Sequence, residues 1–206
     1  MPIETLDLVD GKIIRTTDGR VLKTLGDLAC ESLYSLEDSH HITAETTCQI
    51  KSNAYSFGVC FAEVEVDIPM CKAKLTRILN VHDCGRLINP ALAEAQVHGG
   101  MSMGIGYALS EQLLFDEKTG KPLNNNLLDY KLSTFMDHPT LEVAFVENFE
   151  PTNPFGTKAL GEPPACPVAS AVRNAIRNAT DVSINVCPIN PHVLYKEFTE
   201  AGLIEE

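Results

Sequence analysis

Along the chain, apolar residues switch repeatedly between a two-residue and a 3.6-residue period, which predicts a mixture of strands and helices. Lys12–Thr16 and Arg20–Lys23 flank Asp18-Gly19, a two-residue hairpin turn that exploits the tolerance of glycine for positive φ. Leu25, Leu28, Ala29, Leu33 and Leu36 then recur at helical spacing. From Phe57 to Ile68 the alternation changes parity. Phe57, Val59 and Phe61 share one face and Val64, Val66 and Ile68 the other, so the strand is either bulged near Ala62–Glu63 or buried on both faces. Pro69 marks the turn into a second strand, Lys74–Val81. Pro90, with Asn89 as N-cap, opens a helix running toward Leu109. Further strands are predicted at Leu113–Phe115, Leu141–Phe149 and Val182–Val186, and further helices at Pro164–Ala179 and Pro191–Thr199. The order lacks a strict βαβ rhythm, and the expected class is α+β with mixed sheets packed on helices.

A polar stretch ends near Ser52-Asn53, which divides the chain into a hairpin-and-helix segment, 1–52, and a larger domain, 53–206. Sixteen basic against 28 acidic residues give a formal net charge of −12, which argues against nucleic acid and anionic membranes as partners. Acids occupy the N-terminus where a signal peptide would carry Lys or Arg, and no apolar run approaches the ~18 residues of a membrane span. Seven cysteines, odd in number and without a C-x-x-C, fit reduced thiols in a cytoplasmic protein.

Two stretches carry candidate chemistry. The helix from Pro90 contains Gly99, Gly100, Gly104 and Gly106, each costing about 1 kcal/mol relative to alanine in a helix interior. Gln96, Gly100 and Gly104 fall at i, i+4 and i+8, so one amide stands above a face without side chains. Such a face suits a flat heterocyclic ligand, or simply close packing against another element. The second stretch is Gly156–Pro164 (GTKALGEPP). Glu162 precedes Pro163-Pro164 and follows Gly161, so its carboxylate is held on a stiff, open-sided turn at a helix entrance. That placement suits a general base; it also suits a glutamate merely stabilised by the helix dipole. His82, Asp83, Cys84 and His98 match no metal-binding spacing, and no metal ligands are assigned. Asp83-Cys-Gly85 is expected to end the second strand in a turn.

These two stretches and their flanks resemble the xanthine dehydrogenase/aldehyde oxidase family of molybdenum hydroxylases. Val81–Pro90 (VHDCGRLINP) is similar to that family's D-x-G-x-x-x-N-P segment, Ala95–Gly100 (AQVHGG) to its Q-x-x-G helix, and Lys158–Pro164 (KALGEPP) to its K-x-x-G-E-P-P loop. The likeness continues through Asn126–Lys131 (NLLDYK) to Leu194–Phe198 (LYKEF), and it covers the C-terminal part of the family's molybdenum-binding subunit. It implies a molybdopterin cofactor shared with upstream segments, and hydroxylation of a purine or other N-heterocycle with oxygen from water. It further implies Glu162 as general base and Gln96, Gly99, Gly100 and Gly161 beside the cofactor. Iron–sulfur and FAD groups would reside on partner subunits, and the chain alone is expected to be inactive. His98 stands where many relatives carry an acid and takes no role. The competing expectation is a non-catalytic truncated domain that serves only as a folding or subunit-interaction module.

Overall fold

The computed structural model describes residues 3–36, 41–50 and 52–205, in two compact units, 1–49 and 50–206. In the first unit, β1 (Leu6–Val9), β2 (Lys12–Arg15) and β3 (Val21–Thr24) form an antiparallel sheet in that order. The β2–β3 connection is longer than the expected two-residue turn: it runs from Thr16 to Arg20, and of Asp18-Gly19 only Gly19 takes a positive φ, 67°. A second Asp-Gly pair, Asp10-Gly11, makes the β1–β2 turn that the sequence reading passed over. Helix α1 (Leu25–Tyr34) starts in a capping box, where Thr24 accepts from the Asp27 N–H and Asp27 reaches back to the Thr24 N–H. Leu36 lies beyond its end.

The second unit is built on the antiparallel pair β4 (Phe57–Asp67) and β5 (Lys72–Asp83), extended by β6 (Leu141–Phe145) parallel to β5. Helices α2 (Pro90–Leu109), α3 (Val168–Thr180) and α4 (Pro191–Glu200) complete the unit, with α3 lying along β4. The architecture is α+β. Its core joins Leu75 and Ile78 of β5, Val97, Met101 and Ile105 of α2, Val172 and Ile176 of α3, and Leu194 and Phe198 of α4.

Both expected features of β4 take an altered form. The bulge sits on β5: Glu63 pairs with Arg77 and Val64 with Leu75, so Thr76 is the extra residue, and its hydroxyl donates to the Glu63 carbonyl. Strand β4 therefore keeps one parity throughout. Cys60, Ala62, Val64 and Val66 turn inward, whereas Phe57, Val59 and Phe61 turn outward and are exposed. Small residues are required beneath α3, and the aromatic ones take the other face.

Two expected strands are absent among the described residues, for a shared reason: side chains occupy the backbone groups that a neighbouring strand would pair. Asn124 donates to the Gln112 carbonyl and accepts from the Leu114 N–H, leaving Phe115 one isolated bridge to Pro122. Along 182–186, Arg173 of α3 donates to the Ile184 carbonyl at 2.6 Å and to the side chains of Ser183 and Asn185. Helix α3 begins at Val168 rather than near Pro164, because Glu162–Pro167 forms a separate turn closed by the Ala165 N–H on the Glu162 carbonyl at 3.0 Å.

Candidate functional site

The turn at the end of β5 proves to be a docking platform. Gly85, at φ 72°, bridges to Thr157, and a Cβ there would collide with the Gly156 carbonyl. The Arg86 N–H donates to the Gly156 carbonyl at 2.9 Å, and the Lys158 N–H donates to the Cys84 carbonyl at 2.7 Å. Between these backbone contacts the Lys158 ammonium meets Asp83 Oδ2 at 2.7 Å, with their side chains 3% and 14% exposed. Asp83 also accepts from the Gly85 N–H at 3.0 Å and from Asn148 at 3.4 Å. Burial works to raise the Asp83 pKa, but Lys158, the Gly85 N–H and Asn148 together hold it below the usual carboxylate value. On its other side the Lys158 ammonium lies 5.4 Å from the centroid of the Phe57 ring.

Beyond Lys158 the loop is pinned residue by residue. Ser56 donates to the Ala159 carbonyl, Gln96 Nε2 of α2 to the Gly161 carbonyl at 2.6 Å, and buried Asn80 of β5 to the Pro164 carbonyl at 2.9 Å. The residue before β4, helix α2 and strand β5 thus hold consecutive parts of one loop, and the Glu162 side chain remains exposed between the pins. With Ser56, Gly58, Pro163, Cys166 and Pro167 it lines an open cleft of about 510 Å³. A larger groove, about 1370 Å³, lies between the 65–76 hairpin end and residues 131–139, and none of the predicted site residues lines it.

The glycines of α2 divide by role. A Cβ on Gly100 would stand 2.6 Å from the Pro164 Cβ and 3.0 Å from the Ala165 nitrogen, and one on Gly104 would collide with Val168. These two glycines let α2 meet the Glu162 loop and the start of α3 at backbone distance, so the face read as bare in the sequence is filled by packing. Gly106 makes the same allowance for Glu111. Gly99 and Gly161 differ: both are exposed, and a Cβ on either would meet nothing within 4 Å. Gln96, Gly99, Gly161 and Glu162 are therefore exposed and free of side-chain bulk at the two glycines, with Gly100 packed beneath the loop.

His82, weighed in the sequence only as a metal ligand and given no role, packs against β4. Its ring fills the side-chain space of Gly58, its β4 partner, where a Cβ would stand 2.5 Å from His82 Cε1. The ring is buried, and burial pushes its pKa down, with the backbone of Phe57 partly opposing. Neither ring nitrogen has a hydrogen-bond partner in the structure. A glycine opposite a histidine in a paired strand was the available signal. Among the described residues no three His, Cys, Asp or Glu gather as a metal site, and no helix is long and apolar enough to cross a membrane.

This arrangement suits a large polar cofactor. An exposed amide with one N–H and its oxygen uncommitted and an anchored carboxylate stand along one edge, where Gly99 and Gly161 add no side-chain bulk. The chain belongs to the molybdopterin cofactor-binding domain family, which it matches over residues 1–139. It is 49% identical over 200 residues to the putative xanthine dehydrogenase molybdenum-binding subunit XdhA of Escherichia coli K12, covering 97% of this chain and 27% of that protein. Aldehyde oxidoreductase molybdenum-binding subunit PaoC of the same strain is 32% identical over 187 residues, covering 90% of this chain and 25% of PaoC. A crystal structure of Cu,Mo-CO dehydrogenase superposes with a TM-score of 0.83 at 26% identity, over 98% of this chain and 26% of that one. The chain thus spans about a quarter of the length of these relatives.

Proposed function

We propose that this chain forms one wall of a molybdenum hydroxylase active site and supplies its general base, Glu162. The observation that carries this reading is the Gln96–Gly161 hydrogen bond, which joins the glycine-bearing helix to the loop that presents the carboxylate. Gln96, Gly99 and Gly161 would hold the molybdopterin cofactor along their shared edge, and Gly100 would set the depth of that edge through its contact with Pro164. When bound, the molybdenum–pterin group supplies the two-electron oxidation of substrate. Glu162 takes up a proton on its carboxylate, and the pins at Ala159, Gly161 and Pro164 keep it aimed while it does so. Because the cleft is open, Glu162 can pass that proton to solvent.

The substrate class is an N-heterocycle such as a purine, in keeping with the relative named as a xanthine dehydrogenase subunit. Its likeness to single subunits points to partners: the remaining three quarters of the molybdenum-binding subunit, and iron–sulfur and FAD subunits that carry electrons away. Without them the chain is inactive, since one wall neither encloses a cofactor nor relays electrons. The assembly would work in the cytoplasm.

The test is reconstitution with the remainder of the subunit, followed by molybdenum analysis and a purine-oxidation assay. Glu162→Gln should lower turnover by at least 10³-fold with metal content unchanged. Normal turnover in that variant would remove the base assignment, and complexes devoid of molybdenum would return the chain to a non-catalytic module.

A further inference from the structure

The outer face of the β4–β5–β6 sheet inverts the usual distribution of side-chain size. Beneath α3 stand Gly58, Cys60 and Ala62, and toward the outside stand Phe57, Val59 and Phe61, exposed by 64%, 53% and 59%. In register, Val59, Val81 and Ala144 form one row across the three strands, and Phe61, Leu79 and Glu142 the next. Ion pairs close both ends of this apolar field. Arg77 bridges Glu142 at 2.6 Å and Glu63 at 3.4 Å beyond Phe61, and Asp83 meets Lys158 beside Phe57. A contiguous apolar patch with a charged rim has the anatomy of a protein interface.

We infer that this sheet face docks the polypeptide corresponding to the other three quarters of the family's molybdenum-binding subunit. The inference rests on the proposed function and names its interface. Relatives devote about three quarters of their length to polypeptide outside this chain, and that polypeptide must seat against it to complete a cofactor site. The patch lies where such seating helps most. Phe57, at its edge, touches the ammonium of Lys158, which fixes the start of the Glu162 loop, so a partner on this face comes to rest next to the cleft. The shift in the apolar pattern along β4 gains its explanation here: docking covers the outward Phe57, Val59 and Phe61, while Val64 and Val66 face the core.

The full chain is co-expressed with tagged E. coli XdhA lacking the 200 matched residues, and binding is read by co-purification and titration. The wild-type chain should bind, and the double variant Val59→Lys/Phe61→Glu should bind at least tenfold more weakly. Its own circular dichroism and urea midpoint should stay as in wild type, because both positions are exposed in the free chain. Tyr195→Lys, an equally exposed apolar position on α4, should bind normally. Equal binding by the double variant would overturn the inference, as would absence of wild-type binding. So would a wild-type homodimer that becomes monomeric in the double variant without binding XdhA. Molybdenum content separates the two readings. A wild-type complex that forms without metal defeats the functional proposal alone, whereas a metal-loaded complex indifferent to the double variant defeats the docking face alone.

Discussion

Removing the Asp83 carboxylate should unfold the second unit more readily than any comparable surface change. Asp83→Ala leaves the Lys158 ammonium 3% exposed, with its 2.7 Å partner gone, and strips an acceptor from the Gly85 N–H. Deleting one member of a buried pair costs about 3–5 kcal/mol, most of it the penalty of an unpaired charge. Because the Asp83 side chain keeps 14% of its surface in solvent, the lower end of that range, about 3 kcal/mol, is expected. Urea unfolding followed by circular dichroism measures it, the chain having no tryptophan. Lys158→Met added to Asp83→Ala should recover about 2 kcal/mol, because no buried charge then remains. The pH dependence has a definite sign. The folded Asp83 pKa lies below its ordinary 3.8, so the pair's contribution is complete above that value and disappears as pH falls through the lower, folded one. Asp83→Ala should therefore show a shallower acid limb than wild type. A loss below about 1 kcal/mol, the range of solvated surface pairs, would refute the anchoring role assigned to this pair.

Gly104→Ala, which forces a methyl group onto Val168, should destabilise by about 1–3 kcal/mol. Gly99→Ala meets open space and should raise the stability of the free chain by up to ~1 kcal/mol while lowering the molybdenum content of the assembled complex; unchanged loading would take Gly99 out of the cofactor edge. His82 has a folded pKa below its ordinary 6.5, so it stays neutral in the fold and takes up a proton on unfolding. Stability should be complete above that value and decline as pH drops below it, by at most about 1.4 kcal/mol per pH unit. His82→Gln should abolish that slope, and a wild-type slope retained in the variant would place the titration elsewhere.

Much of the architecture was legible because its signals are local. The glycine turn at Gly19, the Asn89 cap with Pro90 and the helix opened by Pro191 depend on a few adjacent residues, and the structure contains all three. Failures arose where a distant side chain competes for backbone groups. Arg173 and Asn124 each satisfy a segment that reads as a strand by periodicity, and neither partnership has a signature in the segment itself. Which face of β4 turns inward stayed open for a related reason. Hydrophobicity marks what is buried eventually, and for Phe57, Val59 and Phe61 it does not identify the burying partner.

The site was legible as two motifs but not as one object. Spacing placed Gln96 on a helix and Glu162 on a stiff turn; only the fold shows that the turn owes its position to Asp83 and Asn80 of β5 and to Gln96 of α2, all more than 60 residues earlier in the chain. Proline stiffness alone restricts Glu162 locally, whereas aim requires anchors at both ends. Lys158 and Pro164 supply them, six residues apart, one through a buried ion pair and the other through a buried amide. An anchor by charge and an anchor by hydrogen bond fail under different conditions. Acid releases the Lys158 end as Asp83 protonates, while the Asn80–Pro164 contact, which has no titrating partner, persists. Loss of aim on acidification should thus begin at the Lys158 end of the loop, ahead of any loosening where Pro164 meets Gly100.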